Sequence, residues 1–128
     1  MNRKILLWSA AFGLTAIILG AFGAHILKKY LAIEQLTAFE TAVKYQMYHA
    51  LFLLFLSNIT LITEKTKKLI LNITIVGVLL FSGSIYLLAT MPISGINFKP
   101  IGFTTPIGGM FLISAWAILL LKSVKNKE

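Results

Sequence analysis

The chain has 128 residues, 58% of them hydrophobic and only 12% charged, and its mean hydropathy is +0.87; soluble domains carry about 25% charged residues, so the composition points to a membrane protein and the length leaves no room for a soluble domain beside several spans. The formal net charge is +8, but the cations lie in short clusters between apolar runs. That pattern reads as a topology signal and an attraction to anionic lipid headgroups, with no nucleic-acid partner expected, and the absence of cysteine excludes disulfides, thiolate metal sites and thiol nucleophiles.

Four apolar runs follow one another. Residues 5–27 carry no charge, and their polar side chains are Ser9, Thr15 and His25. At 1.5 Å per residue this run is roughly 34 Å long, enough to cross a hydrocarbon core of ~30 Å. A signal peptide is the competing reading, with small residues at Ala21 and Gly23, but the run exceeds a usual h-region, so a retained helix is expected. Residues 45–62 form the second run, interrupted by Gln46, His49 and Asn58; the third is 69–91; the fourth is 106–121, opened by Pro106. In lipid the backbone must satisfy its own hydrogen bonds, and none of these runs alternates as barrel strands do, so each reads as a helix. The two NIT triplets, at Asn58 and Asn72, fall in or beside spans and do not read as glycosylation sites.

The connections differ. Between the first two runs, Ile33, Leu36, Phe39 and Val43 recur at helical spacing among Glu34, Gln35, Thr41 and Lys44, which predicts an interfacial amphipathic helix over residues 33–44. A charged turn, TEKTKK, joins the second and third runs, and all three prolines lie in the loop and span start that follow the third run. The expected fold is therefore an all-α, polytopic membrane protein: four transmembrane helices in a compact bundle plus one interfacial helix, as a single integral membrane domain over residues 1–128. With four crossings, one side holds Arg3, Lys4, Lys65, Lys67, Lys68, Lys122, Lys125 and Lys127, and the other Lys28, Lys29, Lys44 and Lys99. That imbalance places both termini in the cytoplasm, in a bacterial plasma membrane.

Small residues predict close helix packing. The positions are Gly13, Ala16, Gly20, Gly23 and Ala24 in the first run, Gly83 in FSGSIY, and Gly108 and Gly109 in PIGGM. The two histidines, His25 and His49, stand near the end of the first run and the start of the second, so both are expected at one depth near the non-cytoplasmic face. With Glu40, Tyr45, Gln46, Ser82 and Ser84 they would form a polar cluster. Such a cluster is open to several uses: interhelical hydrogen bonding, a ligand or lipid-headgroup site, a metal site, or a base. Two histidines and a carboxylate are a legal zinc set, but their spacing matches no zinc motif, so neither metal nor cofactor is expected. All four acids (Glu34, Glu40, Glu64 and Glu128) lie in connections or the tail, which argues against proton coupling through a buried carboxylate. No nucleophile, acid pair or catalytic motif is present, so no enzyme is expected; membrane lipids and further copies of the chain are the expected partners.

The strings GAFGAH, FETAVKYQMYHAL, LFSGSIYLLA and PIGGMFLISAW resemble, in order and spacing over nearly the whole chain, the membrane proteins of uncharacterised protein family 0382. This is also domain-of-unknown-function family 423, which includes the transmembrane protein 256-like proteins. One departure is Ile26, where the pattern leads one to expect glycine. The resemblance implies a small four-span membrane protein and no particular reaction.

Overall fold

In the computed structural model, which describes residues 2–125, the chain is helical nearly throughout. The first helical stretch comprises α1 (Asn2–Ile18), a π-helical turn (Leu19–Gly23) and α2 (Ala24–Leu27). The wide turn falls on the glycine-containing LGAFG segment; an extra residue inserted into the ladder in this way is what a π-bulge is. After a short turn come α3 (Ile33–Asn58), α4 (Glu64–Ala89), α5 (Met91–Ser94), a 3-10 turn (Lys99–Ile101) and α6 (Thr104–Lys125). Local chemistry marks the boundaries. The Ala32 N–H donates to Gln35 Oε1 at 2.9 Å at the start of α3, and Thr63 Oγ1 accepts the Thr66 N–H at 3.2 Å at the start of α4, each satisfying an amide that the helix itself leaves orphaned. Gly95, with φ +73°, closes α5 in the left-handed conformation that glycine adopts without strain.

Among the described residues three stretches are long and apolar enough to cross a membrane: Asn2–Leu27, Glu64–Ala89 and Lys99–Lys125. The fourth long helix, α3, corrects the expectation of two separate elements. The segment expected to lie at the interface (33–44) and the second apolar run as far as Asn58 are one uninterrupted helix, and residues 59–62 of that run lie beyond its end. Nothing between Lys44 and Tyr45 breaks a helix: there is no proline, no glycine and no run of cap residues. The change from charged to apolar composition alters which faces can be buried, and the backbone continues through it. Lys127 and Glu128, used in the reading of charge and of acids, lie outside the described residues.

The long helices pack side by side in the order α1, α3, α4, α6. Contacts between α1 and α3 fix their antiparallel register. A Cβ on Gly13 would lie 3.7 Å from Ala50 Cβ, one on Gly20 3.1 Å from Val43 Cγ1, and one on Gly23 3.5 Å from Phe39 Cζ. Seven residues up α1 thus correspond to seven down α3. On the other side of the molecule α4 and α6 meet backbone to backbone. A Cβ on Gly108 would strike the Phe81 amide nitrogen and would come within 2.8 Å of Leu80 C and 2.9 Å of Gly77 O. A Cβ on Gly77 would lie 2.7 Å from Leu112 Cδ2. Between these contacts runs an apolar core that includes Ile5, Phe12, Leu53, Leu56, Ile70, Leu71, Val78 and Leu112.

Candidate functional site

Three of the buried polar residues, Ser9, Gln46 and Ser82, meet on one face of α3. Ala42, Gln46 and Ala50 follow one another at four-residue spacing, so they stack along that face. Gln46 is 5% exposed and bonds through both ends of its side-chain amide. Its Nε2 donates to Phe12 O at 2.9 Å and to Thr15 Oγ1 at 2.6 Å on α1, and its Oε1 accepts the Tyr86 hydroxyl of α4 at 2.7 Å. Tyr86 reaches it because helical side chains lean toward their own N-terminus. One turn to either side, hydroxyls from the flanking helices donate to carbonyls of α3: Ser9 Oγ to Ala50 O at 2.6 Å, and Ser82 Oγ to Ala42 O at 2.8 Å. A carbonyl has two lone pairs, so each can accept a neighbour's hydroxyl beside its own helical bond.

His49 stands next to this ladder, 4% exposed, and bonds through both ring nitrogens. The Trp116 indole N–H of α6 points at His49 Nε2 at 3.1 Å, and His49 Nδ1 lies 2.7 Å from Tyr45 O. An indole can only donate and a carbonyl can only accept. These contacts therefore assign the neutral tautomer with its proton on Nδ1, Nε2 serving as the acceptor. Rings close in around the pair: Phe52 and Trp116 centroids are 4.3 Å apart, and Tyr45 and Phe81 4.8 Å apart. Between these two aromatic pairs, α3, α4 and α6 leave an open slot of about 490 Å³ lined by Tyr45, His49, Phe81, Gly109, Leu112, Ile113 and Trp116.

His25 does not join this arrangement. It is exposed on α2, and the register of α1 against α3 puts His49 level with Leu14, so His25 lies eleven residues farther along, about 16 Å away in depth. The equal depth expected of the two histidines depended on α3 starting near Tyr45; it starts at Ile33 instead. Glu40 is likewise exposed, on a face of α3 turned away from Gln46. Tyr45 contributes its carbonyl and its ring rather than its hydroxyl. Ser84 serves a different junction: it bonds Phe81 O at 2.9 Å and the Thr105 hydroxyl at the start of α6. Among the described residues no group of three His, Asp or Glu side chains could hold a metal ion.

The packing residues divide in the same way. Gly13, Gly20, Gly23, Gly108 and Gly109 face neighbouring helices, Ala16 is fully buried, and Ala24 is half-buried at the start of α2. Gly83 does not pack: a Cβ there would meet nothing within 4 Å. Sequence reasoning overlooked Gly77, which takes Leu112 of α6 against its bare Cα. It also overlooked Thr15 and Trp116 as polar partners. Thr15 could have been found as one of two hydroxyls in a charge-free run, and Trp116 as an indole N–H that must find an acceptor when placed in lipid.

A family model, "Protein of unknown function (DUF423)", matches residues 19–109. Over 123 residues the chain is 36% identical to a UPF0382 membrane protein of Staphylococcus saprophyticus, covering 96% of this chain and 98% of the relative. It is 35% identical over 128 residues to a UPF0382 membrane protein of Haemophilus influenzae, covering 100% and 99%. It is also 30% identical over 131 aligned positions to the UPF0382 inner membrane protein YgdD of Escherichia coli K12, covering 99% and 94%. No solved structure matches. The apolar helices, the glycine contacts and the GAFGAH and YQMYHA segments thus sit in a chain that belongs to the DUF423 family, the UPF0382 membrane proteins of bacteria.

Proposed function

We propose that this is a non-enzymatic integral membrane protein with a structural, lipid-contacting role, in which the buried polar groups act as ties between helices. The observation that carries this reading is Gln46, whose amide is consumed in bridging α1, α3 and α4. With both N–H groups and one lone pair of Oε1 engaged between helices, this buried side chain has little left for a substrate. Ser9 and Ser82, each given over to a carbonyl of α3, support the same reading. All four long helices cross the bilayer in it, α3 included, because its antiparallel register with the charge-free stretch of α1 keeps the two side by side. Both termini are cytoplasmic. Lys67 Nζ bonds Asn2 Oδ1 at 3.0 Å, which gathers Arg3, Lys4, Lys65 and Lys68 at one end, the positive side.

A second reading, a small-ligand carrier or binding protein, is favoured by the slot beside His49 and Trp116, whose size falls in the range of small-molecule sites. Native mass spectrometry separates the two. The protein is released from membranes in mild detergent, wild type beside Gln46→Leu and His49→Ala. The structural reading expects phospholipid adducts alone on all three, with Gln46→Leu less stable to heat. A discrete non-phospholipid mass on the wild type, lost in His49→Ala, would overturn it in favour of the binding protein.

A further inference from the structure

Among the described residues, the outward face of α3 combines exposed charges with exposed aromatic and aliphatic side chains. Thr37, Thr41, Lys44, Tyr48, Leu51 and Phe55 follow one another at alternating spacings of four and three, the seam period of helices that supercoil together. Tyr48 is 52% exposed, Leu51 47% and Phe55 70%; Thr37 and Lys44 are exposed as well, and so is Glu40 beside them. The charges are deep. Because Gly20 packs on Val43, Lys44 lies level with Leu19 of α1, about nine residues or roughly 13 Å inside Lys28. Because Ser82 bonds Ala42 O, it also lies level with Leu80, nine residues inside the end of α4. Both neighbours are uncharged there. Lys44 is exposed at that depth, and Glu40, level with Gly23 in the same register, is exposed one turn nearer the start of α3; within a bilayer such ionised groups are costly unless paired.

We propose that this face is the interface of a parallel, two-fold homodimer in which Glu40 and Lys44 of one copy pair with Lys44 and Glu40 of the other. Charge complementarity selects the occupant. A two-fold contact is self-complementary, so a patch carrying one acid and one base a turn apart satisfies both when it meets itself. The lean of helical side chains toward the N-terminus lifts each Lys44 ammonium to the level of the second copy's Glu40. Below the ion pairs Tyr48, Leu51 and Phe55 interdigitate along the same seam, with the shallow left-handed crossing usual for this period.

The chain contains no cysteine, so single cysteines report on the face directly. Full-length variants Tyr48→Cys, Leu51→Cys and Phe55→Cys are oxidised in native membranes, beside Leu79→Cys on the outer face of α4 and Leu120→Cys on α6. The first three are expected to form disulfide-linked dimers and the other two to stay monomeric. In the Phe55→Cys background, Glu40→Lys or Lys44→Glu alone should weaken the dimer roughly tenfold by placing like charges together. The double exchange E40K/K44E should restore it, and so should mixing the Glu40→Lys and Lys44→Glu single variants, which a repair of charge pairing within one helix would not do. Cross-linking that peaks at position 79 or 120, that is absent throughout, or that joins position 48 to a protein of different mass would overturn the proposal. So would a double exchange as weak as the single ones.

Discussion

The α1–α3–α4 side and the α4–α6 pair solve the same problem by different physics. In lipid, apolar burial does not drive helices together, so association rests on close packing and on polar bonds between helices. On the first side a glutamine and two serines hydrogen-bond from helix to helix, and the interhelical distance is set by side chains such as Val43 and Phe39. On the second, glycine removes the side chain altogether and the backbones touch at Gly77 and Gly108. A polar tie specifies register but contributes modestly, because the separated helices find other partners for the same groups. A backbone contact has no slack: the two helices fit at that separation or they do not.

Substitutions can break that contrast, and the largest effect belongs to the backbone contact. Gly108→Ala puts a methyl into Phe81 N, Leu80 C and Gly77 O, none of which can move without moving α4. The expected loss is about 3 kcal/mol, read as a lowered unfolding midpoint in detergent and as release of α6 to limited proteolysis. Gln46→Leu comes next. It keeps the bulk but orphans the Tyr86 hydroxyl and leaves Thr15 only its local bonds within α1. A loss of about 1–2 kcal/mol is expected by the same midpoint. If Gln46→Leu proves costlier than Gly108→Ala, the ranking of the two mechanisms is inverted.

Two further changes sharpen the comparison by reversing the sign. Thr74 is fully buried on α4, and its hydroxyl has no hydrogen-bond partner among the described residues. Thr74→Val removes an unsatisfied group at nearly constant shape and should raise the midpoint, by about 1 kcal/mol. The smallest effect is expected at Gly83, where an added Cβ meets open space. Gly83→Ala should stabilise by about 0.5 kcal/mol through helix propensity alone. The pair Gly83→Ala and Gly108→Ala is the same chemical change made twice, and a similar outcome at both sites would refute the packing of α6 on the Gly77–Phe81 face of α4.

Much of the site was legible as a set of residue types and little of it as a set of contacts. Gln46, His49 and Ser82 stand out as polar groups in apolar runs, and all three are buried at helix junctions. Their partners were not legible. Trp116, Thr15 and the carbonyl of Ala42 are distant in sequence, and nothing in their own neighbourhoods indicates which helix they meet. His25 shows the limit most plainly. Residue type and places at the end of one apolar run and the start of the next suggested a pair with His49, but α3 begins far enough upstream to put them on different levels.

What the sequence by itself determined is the class of molecule. Low charge and long apolar runs specify membrane helices because a backbone in hydrocarbon has almost no other way to satisfy its hydrogen bonds. Only the tertiary structure decided which helices adjoin, at what height, and therefore which glycine is a contact and which faces outward. The physical reason lies in the pattern itself. A helix repeats its faces every few residues, so composition along one helix is nearly unchanged when that helix slides by a turn past its neighbour. The contacts are not unchanged: a one-turn slide would separate Gly20 from Val43, Gly108 from Phe81 and Gln46 from Tyr86, and those contacts hold the register that the pattern leaves open.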